Sequence, residues 1–332
     1  MEKIDFVVTW VDGNDPEWQK EKAKYQKNTA ASDGRNVRYR EWDMLRYWFR
    51  SVETYAPWVN KIHFVTCGHL PKWLNTDNPK LHVVKHADFI PEEYLPTFSS
   101  HPIELNLHRI PGLSSQFVYF NDDFYLTAPV TPEDFFVKGV PCDSLEESIV
   151  RLSERSQMVY IKSNDICFTN MHFNKKEAKK KMRSKWYSLK TPSVALRNLL
   201  RNVISRQYFF GLNVHHLPQA YRKETFDAVW NADPNWLSET CSHKFRDDQD
   251  VSQCVFKFWQ LASGNFHPYN KRKHGFFYVG GSDPKPAAKA IRTQQYKFIC
   301  YNDGDDIDFD YCKETMHSAF EDTFPNKSSF EK

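Results

Sequence analysis

Four short apolar segments in the first 126 residues each end in a turn, and a helical pattern separates the first two. IDFVVTWV (4–11) meets Asp12-Gly13-Asn14-Asp15, KIHFVTC (61–67) meets Gly68, LHVVKHADF (81–89) meets Ile90-Pro91, and QFVYF (116–120) meets Asn121-Asp122-Asp123. Such runs read as buried strands. In REWDMLRYWFRSVETYAPW, Leu45, Trp48, Phe49, Val52 and Tyr55 recur at helical spacing, and Ala56-Pro57 closes the helix. HPIELNLHRIPGL sets Ile103, Leu107 and Ile110 on one helical face before Pro111-Gly112. The expectation is an α/β fold, an open and mostly parallel Rossmann-like sheet with a largely helical second region. In such sheets ligands lie beyond the carboxyl ends of the strands, so the loops at 12–15, 67–69 and 121–123 should converge on one crevice.

After Pro129 the texture changes. TAPVTPEDFFVKGVPCD is a proline-containing connector, and VALRNLLRNVISRQYFF reads as helical. HGFFYVGG and QYKFICYND return strand-like runs near the end. We divide the chain into a nucleotide-sugar-binding core (1–135), a mostly helical region (136–262) and a C-terminal segment packing back on the core (263–332). With 40% hydrophobic and 16% aromatic residues, the 332-residue chain can bury a real core. A formal charge of +3 gives no argument for nucleic acid. Seven cysteines (67, 142, 167, 241, 254, 300 and 312), none in a C-x-x-C pair, fit reduced thiols. Neither a cleavable leader pattern nor a run of about 18 apolar residues is found, so the expectation is a cytoplasmic chain.

Adjacent acids after a buried strand, as at Asp122-Asp123, are a common way to hold Mg²⁺ or Mn²⁺ against a diphosphate, and also a common turn. VDGNDP is likewise a turn candidate, with Gly13 supplying a positive φ and Asp12 or Asp15 bonding backbone N–H groups. VHHLPQAYRK carries His215 and His216, either of which is structural or a general base beside a bound phosphate. In HKFRDDQDV, Arg246 either clamps phosphate oxygens or pairs with the neighbouring acids. The run Lys175–Lys190 has eight basic residues and one acid. It reads as a solvated helix face or as a contact for an anionic membrane or phosphate-bearing acceptor. His82 and His86 lack further ligands for zinc, and NDGDDIDFD lacks calcium-loop spacing. Phosphate-loop, dinucleotide and serine-elbow motifs are missing, which argues against those enzyme classes.

Taken together, these blocks resemble the Stealth family of sugar-phosphate transferases. That family includes bacterial capsule-polymer hexose-1-phosphate transferases and the catalytic subunit of animal lysosomal-enzyme GlcNAc-1-phosphotransferase. The resemblance runs through IDFVVTWVDGNDPEW, the stretch from RYREWDMLRYWF to QFVYFNDDFYL, then VHHLPQAYRK, HKFRDDQDVSQCVFKFW and FPNKSSFEK. Cys67 stands where the family commonly has Asp or Asn. The resemblance implies a glycosyltransferase-A-like sheet and transfer of a sugar-1-phosphate from a UDP-sugar to a glycan hydroxyl, releasing UMP. It places the active-site positions on Glu104, Asp123, His216 and Arg246; Glu104 would otherwise read as an exposed helix residue. On this reading Asp122 and Asp123 hold Mg²⁺ or Mn²⁺. Arg246 takes phosphate oxygens, and His216 is the base, with Glu104 orienting the acceptor or substituting for it. Asp12, Gly13 and Arg109 are assigned to the nucleotide or its diphosphate. The implied setting is capsule or cell-surface polysaccharide synthesis near the inner membrane face. The rivals are a glycosyltransferase releasing UDP and a non-catalytic glycan-binding module built on aromatic platforms.

Overall fold

The computed structural model describes residues 2–26, 41–151, 156–279, 283–304 and 307–332. Residues 38–40 before REWD's glutamate, 280–281 of HGFFYVGG and 305–306 of NDGDDIDFD lie outside them. The four apolar runs form β1 (Ile4–Thr9), β2 (Ile62–Thr66), β3 (Leu81–Lys85) and β4 (Gln116–Phe120). They lie side by side in the order β3-β2-β1-β4, every pair parallel. Later come β5 (Phe124–Leu126), β6 (Phe136–Val137), β7 (Val140–Asp143), β8 (Gln219–Arg222), β9 (His267–Pro268), β10 (Gly275–Val279) and β11 (Phe298–Asn302). The α/β class and the mostly parallel sheet expected from the sequence are both present.

The helical region also supplies a strand. β8 pairs antiparallel to β4 and forms the edge of the main sheet. The helices of that region include Gln157–His172, Pro192–Arg201, Lys223–Ala232 and Cys254–Ser263. At the other end of the chain, β10 runs parallel to β11, and β11 pairs antiparallel to β5. This second sheet brings residues some 180 positions later against the loop that ends β4. All seven cysteines are free thiols, and among the described residues no helix is long and apolar enough to cross a membrane.

Alternation along the central strands sorts two cores. Phe6, Val8, Phe64, Val118 and Phe120 face α2 (Leu45–Tyr55, where α1 is Pro16–Gln26) and the C-terminal helix. Val7, Val65, Phe117 and Tyr119 face α3 (Ser100–Asn106) and the helices around Phe226 and Phe256. A period of two along each strand gives this division directly. At the amino ends, buried Asp5 accepts from Asn60 Nδ2 (2.7 Å) and Ser114 N (2.8 Å) and lies 3.1 Å from His63 Nε2. These bonds tie β1 to β2 and to the entry of β4.

The closing residues brace α2. Arg50 donates to both carboxylate oxygens of Glu331 (2.8 and 2.9 Å) and to Phe324 O (2.7 Å), while Phe330 packs on Phe49. Both charges are almost wholly buried, so losing one strands the other. Arg50→Ala is expected to lower the unfolding free energy by about 3 kcal/mol in urea titrations.

Candidate active site

β4 delivers the acidic pair to the carboxyl end of the sheet. Phe120 is locked between Phe6 and Trp48, and Phe124 N closes a turn onto Asn121 O (3.2 Å). The turn leaves Asp122 exposed and Asp123 partly buried. Asp123 Oδ2 accepts from Asn302 Nδ2 (2.9 Å) and Cys300 Sγ (3.2 Å) and lies 3.8 Å from His216 Nε2; its carbonyl accepts from Tyr301 N (3.0 Å). Asp123 Oδ1, by contrast, is a buried acceptor with no partner. Desolvation alone would raise the Asp123 carboxyl, but His216, Asn302 and Cys300 outweigh it and hold the group below the usual range.

More carboxylates act on the neighbouring Asp122. Desolvation by the surrounding protein, then the charges of Asp123 and Glu41, push Asp122 up to about 7. Its side chain is open to solvent, so the repulsion by Asp123 is the firmer cause. Glu41, bonded to Trp10 Nε1 (3.1 Å), is itself raised by desolvation, with Asp43 and Asp12 adding repulsion. An orphaned acceptor amid carboxylates fits a hard divalent cation. Asp123, His216 and Cys300 also offer atoms within 4.8 Å of one another. Burial and the Asp123 charge raise the Cys300 thiol well above its ordinary value, however, and it donates to Asp123. Asp123 Oδ1 therefore suits such an ion better than the sulfur does.

The two histidines of VHHLP part company. Both sit in the left-handed region, His215 at φ 63° and His216 at φ 46°, an uncommon conformation for non-glycine residues. His215 turns inward, 3.6 Å from Glu146, where burial pushes it down to about 3 and keeps it neutral. His216 turns outward between Phe124 and Phe277, whose rings meet it edge-on at 5.0 and 4.9 Å. Two buried lysines fix the loop. Lys257 Nζ donates to Val214 O and Lys271 Nζ to Pro218 O, both at 3.1 Å, and Asp143 lies between them, 3.1 Å from Lys257 and 3.8 Å from Lys271.

Glu104 is buried on α3, and Tyr119 Oη donates to it at 3.1 Å while also contacting Thr9 Oγ1 at 3.2 Å. The exposed-helix reading of this residue is thus corrected; α3 turns that face onto the sheet. One turn earlier, Ser100 Oγ accepts from Arg246 Nη2 (3.0 Å). The Arg246 loop is set by buried Asp250, which meets His101 Nδ1 (2.8 Å), His243 Nδ1 (2.7 Å) and Asp247 N (3.0 Å). Phe245 stacks on Phe98, and Phe98 meets Trp18 of α1 edge-on, which joins this loop to the one after β1.

In that first loop Asp12 Oδ1 accepts from Asn14 N (2.9 Å) and Asp15 Oδ1 from Trp18 N (2.8 Å), so both aspartates do cap backbone donors. Asp12 N donates to His69 Nε2 (2.8 Å), which joins the loops after β1 and β2. Gly13 departs from expectation. It is buried and accepts from Gln19 Nε2 (2.8 Å), and it is not among the glycines with positive φ, namely 68, 112, 139 and 264. The Asp15 N to Asp12 O bond closes the turn without a left-handed residue. Arg109 lies apart from this loop. It is exposed on the turn after α3 and lies over the Trp230 ring at 4.9 Å, on the approach to the start of β4 rather than beside Asp123 at its end.

The structure therefore gathers Asp123 with His216, and Glu104 with Arg246 along α3, and links the two through Tyr119, which feels both Glu104 and Asp122. Sequence reasoning missed Tyr119, Glu41, Cys300 and Asn302. Only Asn302 left a trace there, as a polar residue ending a strand-like run.

Family models described as conserved regions 1, 2 and 4 of Stealth protein match residues 2–30, 38–143 and 289–332. A capsular polysaccharide phosphotransferase, WcwK of Streptococcus pneumoniae, is 40% identical over 100% of this chain and 99% of its own. The chain belongs to the Stealth family. Other Stealth relatives are the receptor polysaccharide phosphotransferase WefC of Streptococcus gordonii (39%, covering 100% and 99%) and the exopolysaccharide phosphotransferase cps2G of Lactiplantibacillus plantarum (34%, covering 99% and 96%). The likeness to a solved galactosyltransferase, LgtC in complex with donor and acceptor sugar analogs, is loose, with a TM-score of 0.42 and 11% identity over 98% of each chain. This Stealth chain is an enzyme of the phosphotransferase class, as those full-length relatives are.

His243 gives a pH signature. Its hydrogen bond to Asp250 raises it above the ordinary imidazole value, and hydrogen bonds from His101 and His243 hold Asp250 below the carboxylate range against desolvation. The raised histidine stabilises fully below its unfolded pKa and loses that contribution as pH rises through its folded value. The depressed aspartate stabilises above its unfolded pKa and loses that contribution as pH falls through its folded value. The stability gap between wild type and His243→Ala should thus be widest between about pH 4 and 6.5 and shrink on either side, as followed by urea unfolding.

Proposed function

We propose that the chain transfers a sugar-1-phosphate from a UDP-sugar to a glycan hydroxyl, forming a phosphodiester and releasing UMP, in capsular or cell-surface polysaccharide synthesis in the cytoplasm. The observation that carries this reading is the Asp123 carboxylate, with one oxygen beside His216 and the other unpartnered among acids. Asp122 and Asp123 would hold Mg²⁺ or Mn²⁺, and the ion, when bound, would neutralise charge on the diphosphate.

The chain's own residues supply the rest. With Nε2 facing Asp123, His216 leaves Nδ1 to take the proton from the acceptor hydroxyl. The hydroxyl oxygen forms a bond to the β-phosphorus of the donor as the bond from that phosphorus to the α–β bridging oxygen breaks, and UMP leaves with that oxygen. Arg246, held at Ser100, is placed for the non-bridging phosphate oxygens. Glu104, holding Tyr119 Oη, orients the acceptor from the α3 side or substitutes as base. Asp12 keeps Oδ2 for the nucleotide while Oδ1 builds the turn.

Incubation with UDP-sugars, Mg²⁺ and glycan acceptors should yield UMP with phosphorus retained in the glycan; UDP as the product would move the reaction to the anomeric carbon and overturn the proposal. His216→Ala should reduce turnover at least about a thousand-fold while UDP-sugar affinity changes less than about three-fold. Parallel loss of both would make the residue structural.

A further inference from the structure

The helix Pro192–Arg201 is amphipathic in an inverted sense. Its inner face is small: Val194 and Asn198 are buried, and Asn198 Nδ2 donates to Leu145 O (2.8 Å) and Trp186 O (3.2 Å) while its Oδ1 accepts from Glu147 N (2.9 Å). On the opposite face Leu196, Leu199 and Leu200 are 59%, 56% and 65% exposed. The stripe continues through Val203 (85%) and Ile204 (54%), and Leu189 beside the helix is 95% exposed. Positions 196, 199 and 200 fall within one helical face, and Val203 and Ile204 lie in the turn that follows it. Isolated surface leucines are ordinary, but a contiguous patch of this kind marks a docking surface.

Charge identifies the occupant. From Lys175 to Arg206 there are eleven Lys and Arg residues and one acid, Glu177. Several of these cations are engaged within the fold. Lys175 pairs with Glu147 (2.5 Å), Lys185 donates to Gly264 O and Phe266 O, and Arg197 pairs with Glu146 (3.0 Å). The lysine run is accordingly less of a free basic face than its sequence suggests. Lys176, Lys180, Lys181, Arg183, Lys190 and Arg206 remain exposed. An apolar stripe accompanied by cations and almost no acids complements an anionic lipid bilayer, with leucines entering the acyl boundary and cations meeting headgroups.

We propose that the Leu196–Ile204 face docks this protein on an anionic membrane surface. The docked helix would lie close to the reaction. Arg197 pairs with Glu146, and Glu146 lies 3.6 Å from His215, next to His216. The inference is independent of the nucleotide product.

Full-length protein should co-sediment with phosphatidylcholine vesicles containing roughly 30% phosphatidylglycerol, and about ten-fold less with phosphatidylcholine alone or at high salt. The double variant Leu199→Ser with Leu200→Ser, both side chains being exposed, should keep its thermal unfolding midpoint and lose binding about ten-fold. Lys180→Glu with Lys181→Glu should also weaken binding to the anionic vesicles. Three outcomes would overturn the proposal: no sedimentation of the wild type, full binding by the leucine variant, or a wild-type dimer that the leucine variant splits, which would make the face a contact between copies.

Discussion

One carboxylate holds this active site together. Asp123 ends the central strand β4, and through Oδ2 it ties that strand to Cys300 and Asn302 of β11 and meets His216 from the loop before β8. Three segments distant in sequence thereby meet at one oxygen. The cost of burying that charge is met by donors on one side only. Oδ1 is left with an unmet demand, and the adjacent Asp122, itself repelled by Asp123 and Glu41, does not relieve it. A site of this kind is incomplete as protein alone, which is the physical reason to assign it a cation.

Further buried charges keep the groups of the candidate site in place. Asp143 lies between Lys257 and Lys271, whose ammonium groups also grip the backbone on either side of the two left-handed histidines. Asp250 does the same for the Arg246 loop through His101 and His243. Neither aspartate is assigned a part in the proposed reaction; each limits the conformations open to a residue to which the proposal gives one. Positioning of this sort accounts for much of what an enzyme contributes to phosphoryl transfer, since little covalent chemistry falls to the protein.

The parallel sheet was legible because β1, β2 and β4 are apolar on both faces and each stops at a turn. The acidic pair, His216 and Arg246 are legible as chemistry, although turns, structural histidines and surface ion pairs use the same residue types. Glu104 was not legible, because a helical glutamate shows no sign of facing a buried tyrosine. Cys300 and Asn302 were hidden for a different reason: the β11–β5 pairing spans about 175 residues, and no local pattern encodes so distant a partner. The place of Arg109 was not legible either, because an arginine near the end of a helix does not reveal which end of the sheet it reaches. The exposed leucines of Pro192–Arg201 carried the periodicity of a core face, and only the structure shows that face turned to solvent.

The account stands or falls on the unpartnered oxygen of Asp123. Mn²⁺ would be titrated into the full-length protein with UDP present, and free ion followed by electron paramagnetic resonance, for wild type and for Asp123→Asn. The wild type should bind Mn²⁺, and the variant at least about ten-fold more weakly with its thermal unfolding cooperative and complete. Equal binding by the two proteins, or none by the wild type, would contradict the role given to Asp123.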